Sequence, residues 1–164
     1  MKRAALSACV GVACLMSLPA RADDRDPDVD RRWGLSIWGV SYHIDRSIDY
    51  SEGNYGVGLR YYLNHYIFFE GDVLRNSNRG VVLPASAGVE IGIGTIFHAC
   101  KVSAVGAATL AYYQNVRTDS DYFKFGPVPG AAFGCGRVKT NVLGILRPSR
   151  EPLAAIAASV TIML

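Results

Sequence analysis

Residues 55–63 read Tyr55-Gly56-Val57-Gly58-Leu59-Arg60-Tyr61-Tyr62-Leu63. Tyr55, Val57, Leu59, Tyr61 and Leu63 fall on one face of an extended chain, and Gly56, Gly58 and Arg60 fall on the other. A period of two marks a strand lying between unlike environments. Across the Asn64-His65 connection the pattern resumes over Tyr66–Leu74, where Ile67, Phe69 and Val73 continue the apolar face. Glu70 and Asp72 then share the face of Arg60, which predicts a buried charge cluster, because charges facing inward must pair.

The same period runs outward in both directions. Gly34–Ile44 places Trp38, Val40, Tyr42 and Ile44 on an apolar face and Gly39, Ser41 and His43 opposite. Further strands are expected over 82–95, 100–113, 125–135, 138–145 and 153–164, for a total of eight. Residues 64–65, 96–99 and 136–137 make short connections, whereas 45–54, 75–81, 114–124 and 146–152 are longer and polar or charged. Short turns alternating with long loops is the pattern of a membrane barrel, whose closure leaves no sheet edge in the bilayer. The expected fold is all-β, an eight-stranded antiparallel transmembrane up-and-down β-barrel. A soluble lipocalin-like barrel also has eight strands, but it would not carry Tyr, Trp and Phe along its outward faces with so few charges between them.

The beginning of the chain agrees with export. Met1-Lys2-Arg3 is followed by an apolar run to Pro19 and then Ala20-Arg21-Ala22, which reads as a secretory signal peptide over 1–22. Leu6-Ser7-Ala8-Cys9 resembles a lipoprotein site, but too few residues precede Cys9. Residues 23–32, Asp-rich and broken by Pro27, are expected to be a flexible periplasmic leader, with the barrel over 33–164. Cleavage would remove three of the 17 Lys and Arg residues (Lys2, Arg3 and Arg21) and leave 14, against 14 Asp and Glu. A neutral mature chain gives no reason to expect nucleic acid. The expected location is the bacterial outer membrane, as a monomer among lipids, with no cofactor and no metal.

Cleavage would also leave Cys100 and Cys135 as the remaining cysteines. Folding the fifth and sixth strands about residues 117–118 pairs residues whose numbers sum to about 235. Cys100 and Cys135 satisfy that sum, and a disulfide is expected there, since opposed residues in an antiparallel pair sit within disulfide reach.

Chemistry is sought at the outer rim. A periplasmic N-terminus sends the first strand outward, so His43 ends beside the first surface loop. Leu74-Arg75-Asn76-Ser77-Asn78-Arg79-Gly80 falls in the second. Asn, Ser and Arg are ordinary turn residues, yet the topology lets His43 and Ser77 meet. A histidine can take a hydroxyl proton while a third polar group, here Asn76, orients the ring. Asn76 cannot stabilise an imidazolium as a carboxylate would. His65 and His98 fall in the short turns and are assigned no role.

His43, then Tyr50-Ser51-Glu52-Gly53-Asn54-Tyr55-Gly56-Val57-Gly58-Leu59, then Arg75-Asn76-Ser77, then Gly126-Pro127-Val128-Pro129-Gly130 resembles the lipid A palmitoyltransferase family over about residues 43–136. That resemblance implies an enzyme that moves a palmitoyl chain from a phospholipid to lipid A, with the acyl tail held in an apolar lumen. It implies His43 and Ser77 as the essential pair and Pro127 and Pro129 as a lateral lipid gate, although the prolines alone predict no more than an irregular strand. Two departures stand out: Asn76 occupies the family's Asp position, and the family's N-terminal amphipathic helix is missing. The rival expectations are a non-catalytic barrel for adhesion, envelope stability or stress resistance, and a lipid A deacylase. No compact His-x-Ser pair is present to support the deacylase. Gly39, Gly56 and Gly58 are expected to leave room in the lumen, above a plug built on Arg60, Glu70 and Asp72.

Overall fold

The computed structural model describes residues 32–44, 52–75, 80–97, 99–115, 120–146 and 153–164. The expected signal peptide and most of the leader lie outside these residues. Eight strands follow in chain order: β1 (Trp33–His43), β2 (Gly53–Tyr62), β3 (Ile67–Arg75), β4 (Val81–Ile96), β5 (Cys100–Asn115), β6 (Ser120–Cys135), β7 (Val138–Leu146) and β8 (Leu153–Met163). Each pairs antiparallel with its sequence neighbours and β8 pairs with β1, closing the barrel.

The start of β1, the end of β8 and the three short turns lie at one end of the barrel, called here the turn end. The strand ends His43, Gly53, Arg75, Val81, Asn115, Ser120, Leu146 and Leu153 lie at the other, the loop end. Two of the turns show how the sequence makes them. Gly136 opens the two-residue β6–β7 connection at φ 61°, a left-handed conformation that costs glycine nothing. Asn64 turns the chain from β2 to β3 by accepting hydrogen bonds from the backbone N–H groups of Tyr66 and Ile67 at 2.8 and 2.7 Å.

The residue sum of 235 holds at every rung of β5–β6, from Asn115 opposite Ser120 to Cys100 opposite Cys135. The two cysteines are bonded, with Cα atoms 4.4 Å apart.

The alternation along β1 is corrected at one point. The register shifts between Trp38 and Val40 against both β2 and β8. This bulge at Gly39 turns Trp38 inward with Ser36, while Ser41 and His43 beyond it also face in. An extra residue in one strand reverses every later side chain. Without the bulge, an inward Trp38 would send His43 outward.

Outward side chains are large and apolar. Val57, Leu59, Phe69, Val73, Leu83 and Val89 are each between 43 and 56% exposed. Exposed aromatics gather toward both ends: Trp33 and Tyr66 at the turn end, and Tyr42, Tyr55, Phe123 and Phe125 at the loop end.

The lower lumen, toward the turn end, is filled. Arg60 is fully buried and donates to Glu70 from Nε at 3.1 Å and Nη2 at 2.7 Å, and to Asn141 from Nη1 at 3.2 Å. Its guanidinium lies 4.5 Å from the centre of the Phe68 ring. Ser36 also donates to Glu70, and Asn141 donates to Ser159 and Thr161. Nearer the turns, Glu90 accepts from Tyr62 at 2.5 Å and Lys139 at 3.3 Å. Buried charges survive when such a network satisfies them.

Candidate functional site

Above that network the lumen opens into a cavity of about 400 Å³. Its floor is made by Trp38, Arg60, Phe68, Glu70 and Asp72. Its walls are small or apolar, among them Leu74, Val82, Val105, Ala107, Val128 and Leu143. His43, Asn54, Arg75, Tyr113, Tyr122 and Lys124 stand at the mouth, at the loop end.

Close approaches set the floor. Trp38 donates from Nε1 to Asp72 at 2.9 Å. Asp72 reaches it by lying across β2 at Gly58, where a Cβ would stand 1.8 Å from the carboxylate oxygen. Likewise the Phe68 ring lies on Gly88, 2.5 Å from where a Cβ would be. The expectation that Gly56 and Gly58 leave space for a ligand is therefore corrected. Their space is taken by the neighbouring Leu74 and Asp72 side chains, and the cavity lies higher.

At the mouth, the bulge delivers His43 to the lumen wall. Ser41 Oγ lies 3.4 Å from His43 Nε2 and accepts from Asn54 Nδ2 at 2.5 Å. The Ser41 backbone N–H donates to the Glu52 carbonyl at 2.9 Å, tying the start of β2 to β1. An Asn-Ser-His series of this kind holds an imidazole in one orientation, with Ser41 able to donate to a ring nitrogen. Asn76 and Ser77 lie outside the described residues. Sequence reasoning missed Ser41 and Asn54, although both signals were present: Ser41 shares the face of His43, and Asn54 lies within the Gly-rich run that carries the family resemblance.

Two seams of the sheet are incomplete, and prolines mark both. The β3–β4 ladder pairs Gly71 with Ala85 and Leu74 with Val82, skipping Pro84 and Leu83. The β6–β7 ladder runs from Cys135↔Val138 to Gly130↔Leu143 and stops there, although β7 continues to Leu146. Its register sum of 273 (130 + 143) would set Pro129 opposite Gly144 and Pro127 opposite Leu146. Pro127 and Pro129 are two residues apart, so the N–H groups they lack would point toward the same neighbour. Pairing to β5 continues unbroken through both, so that neighbour is β7. Proline leaves a ladder without its donors on one side. Phe125 and Pro127 lie on the outward face of β6 yet line the cavity, and Ile145 and Leu146 of β7 line it as well. Residues of both strands at this seam thus belong to the cavity wall.

Among the described residues, no group of three or more His, Cys, Asp or Glu side chains could hold a metal ion. No protein-family model and no curated protein matches the chain.

Proposed function

We propose that the protein is an outer-membrane barrel that transfers a fatty acyl chain from a phospholipid to lipid A. The observation that carries this reading is the apolar cavity, which opens beside His43 at the loop end and is lined where the β6–β7 ladder has ended by Pro127, Ile145 and Leu146. Membrane insertion is supported by the apolar outward faces and the aromatic residues at both ends, the arrangement of outer-membrane barrels. Five of the strands are 9–11 residues long, the length that crosses a bilayer when tilted.

In the reaction, the ester bond between the acyl carbonyl and the phospholipid glycerol oxygen breaks, and a new ester forms to a lipid A hydroxyl. His43 accepts the acceptor hydroxyl's proton and returns it to the departing glycerol oxygen, releasing a lysophospholipid. Ser41 and Asn54 orient the imidazole, and Ser77 and Asn76 complete the polar site. The acyl tail enters between Pro127, Pro129 and β7 and lies in the cavity. From His43 to Trp38, which lie opposite Ala155 and Ser159 of β8, the lumen is about 10 Å deep, taking ~3.3 Å per ladder step and a strand tilt of ~40°. The Trp38–Asp72 floor therefore favours a chain shorter than palmitoyl.

Mass spectrometry of lipid A from cells with and without the protein tests the reading. An added acyl chain is expected, lost in His43→Ala and Ser77→Ala, and increased in Asn76→Asp because a carboxylate supports an imidazolium. Identical spectra with and without the folded protein would refute it. The filled lower lumen favours the second reading, a non-catalytic barrel for adhesion, envelope stability or stress resistance, and that outcome would select it.

A further inference from the structure

The outer ends of β5 and β6 carry a cluster that the transfer chemistry does not use. Tyr113 and Tyr122 are cross-strand partners, and their rings stack with centroids 5.3 Å apart and planes 8° from parallel. Lys124 Nζ lies 5.4 Å from the centre of the Tyr113 ring and 5.2 Å from that of Tyr122. All three side chains line the mouth of the cavity, as does Arg75. The hairpin's other face carries a separate pair, Tyr112 and Phe123, which faces away from the lumen. The hairpin is thus aromatic on both sides, and among the described residues it is the inner side that brings an ammonium to the rings at the mouth.

We infer that Tyr113, Tyr122 and Lys124 form a binding platform for a phosphorylated sugar headgroup. The inference rests on the lipid-modifying reading for the nature of the amphiphile. Aromatic faces are electron-rich and pack against the weakly positive C–H faces of a pyranose ring. Phenol hydroxyls at the ring edges can donate to and accept from sugar hydroxyls. The Lys124 ammonium, set against the rings by cation–π attraction, supplies a point charge for a phosphate. The distribution of charge along the cavity points the same way. Its carboxylates, Glu70 and Asp72, lie at the floor, where Glu70 is held by Arg60 and Asp72 accepts from Trp38. Its mouth carries Arg75 and Lys124. An amphiphile would enter tail first, leaving an anionic head among the bases. A quaternary ammonium headgroup would meet like charge.

The test uses the full barrel folded into vesicles of phosphatidylcholine, with binding read by tyrosine fluorescence and calorimetry. The probes are the acyl-free bisphosphorylated glucosamine disaccharide, the same disaccharide without phosphate, glycerol phosphate and inorganic phosphate. The bisphosphorylated disaccharide is expected to bind at least about ten-fold more tightly than any other probe, the effect of two ring contacts and a charge contact together. Tyr113→Leu with Tyr122→Leu should lower that affinity about ten-fold. Lys124→Gln should bring the phosphorylated and unphosphorylated disaccharides to similar affinity, whereas Tyr122→Phe, which keeps the ring, should retain most of the binding. Phe123→Leu, on the outer face of the same hairpin, serves as the control, and gel mobility verifies folding of every variant. Equal binding of glycerol phosphate or inorganic phosphate, no disaccharide binding by the wild-type barrel, or unchanged affinity in the folded variants would overturn the inference. Headgroup binding without acyl transfer would leave it standing and remove the acyltransferase. Acyl transfer with headgroup affinity unchanged in the leucine variants would do the reverse.

Discussion

The two halves of the lumen are built on opposite principles. Toward the turn end, the ladders continue around the barrel, the Cys100–Cys135 bond joins β5 to β6, and Arg60, Glu70, Glu90 and Lys139 fill the interior. Toward the loop end, the β6–β7 ladder has ended at Gly130, and a cavity replaces the packed network. A site that must admit a ligand cannot be filled, so the interactions that hold the barrel together lie away from it. Strained or underpacked functional regions are commonly supported by consistency elsewhere in the fold.

The contrast can be broken hardest at the floor. Arg60→Met would leave Glu70 buried without its cation, and a loss of about 3–5 kcal/mol is expected, read by urea titration of the folded barrel in vesicles. Adding Glu70→Leu should recover much of that loss, because replacing both members of a buried pair by apolar groups is far milder than removing one. A loss below about 1 kcal/mol for Arg60→Met alone would mean that the network is not what stabilises the lower half.

Next in size is the disulfide. Cys100→Ser with Cys135→Ser reopens a loop with a sequence separation of 35, and the chain-entropy cost is about 3–4 kcal/mol. The same titration under non-reducing conditions measures it. Ligand entry at the loop end should be unaffected, since the bond lies at the other end of β5 and β6.

A smaller effect of opposite sign is expected at the open seam. Pro127→Ala with Pro129→Ala restores two N–H donors facing β7. If they find carbonyls there, each bond adds about 0.5–1.5 kcal/mol. Hydrogen exchange at Gly144, Ile145 and Leu146 should slow, and acyl transfer should fall as the seam closes. Unchanged exchange at these amides would show that something other than the missing donors keeps the strands apart. The smallest effect on stability is expected from His43→Ala, within about 0.5 kcal/mol, because it stands at the mouth and outside the buried network. That same substitution is expected to abolish transfer, so stability and activity separate most cleanly there.

Much of the fold was legible because a strand between two environments writes its period into the sequence. The alternation over Tyr55–Leu63 and Tyr66–Leu74 placed Arg60, Glu70 and Asp72 on one inner face, and they do share it. The β5–β6 register followed from a single turn position, since an antiparallel ladder propagates one residue sum along its whole length. The side of β1 on which Trp38 lies was not legible. A bulge is a local choice between two pairings of nearly equal sequence preference, and what decides it is the Asp72 carboxylate waiting across Gly58.

The candidate site divides along the same line. The sequence by itself determined that His43 stands at a strand end on the inner face, and that two prolines fall within the sixth strand. Only the tertiary structure decided that Asn54 reaches Ser41 beside that histidine, that the prolines turn their missing donors toward β7, and that the glycines of β2 hold neighbouring side chains and leave no room there for a ligand. Periodicity is a property of one chain segment and its two environments. Which side chains from different strands meet depends on register, bulges and volume, and these are settled only when the barrel closes.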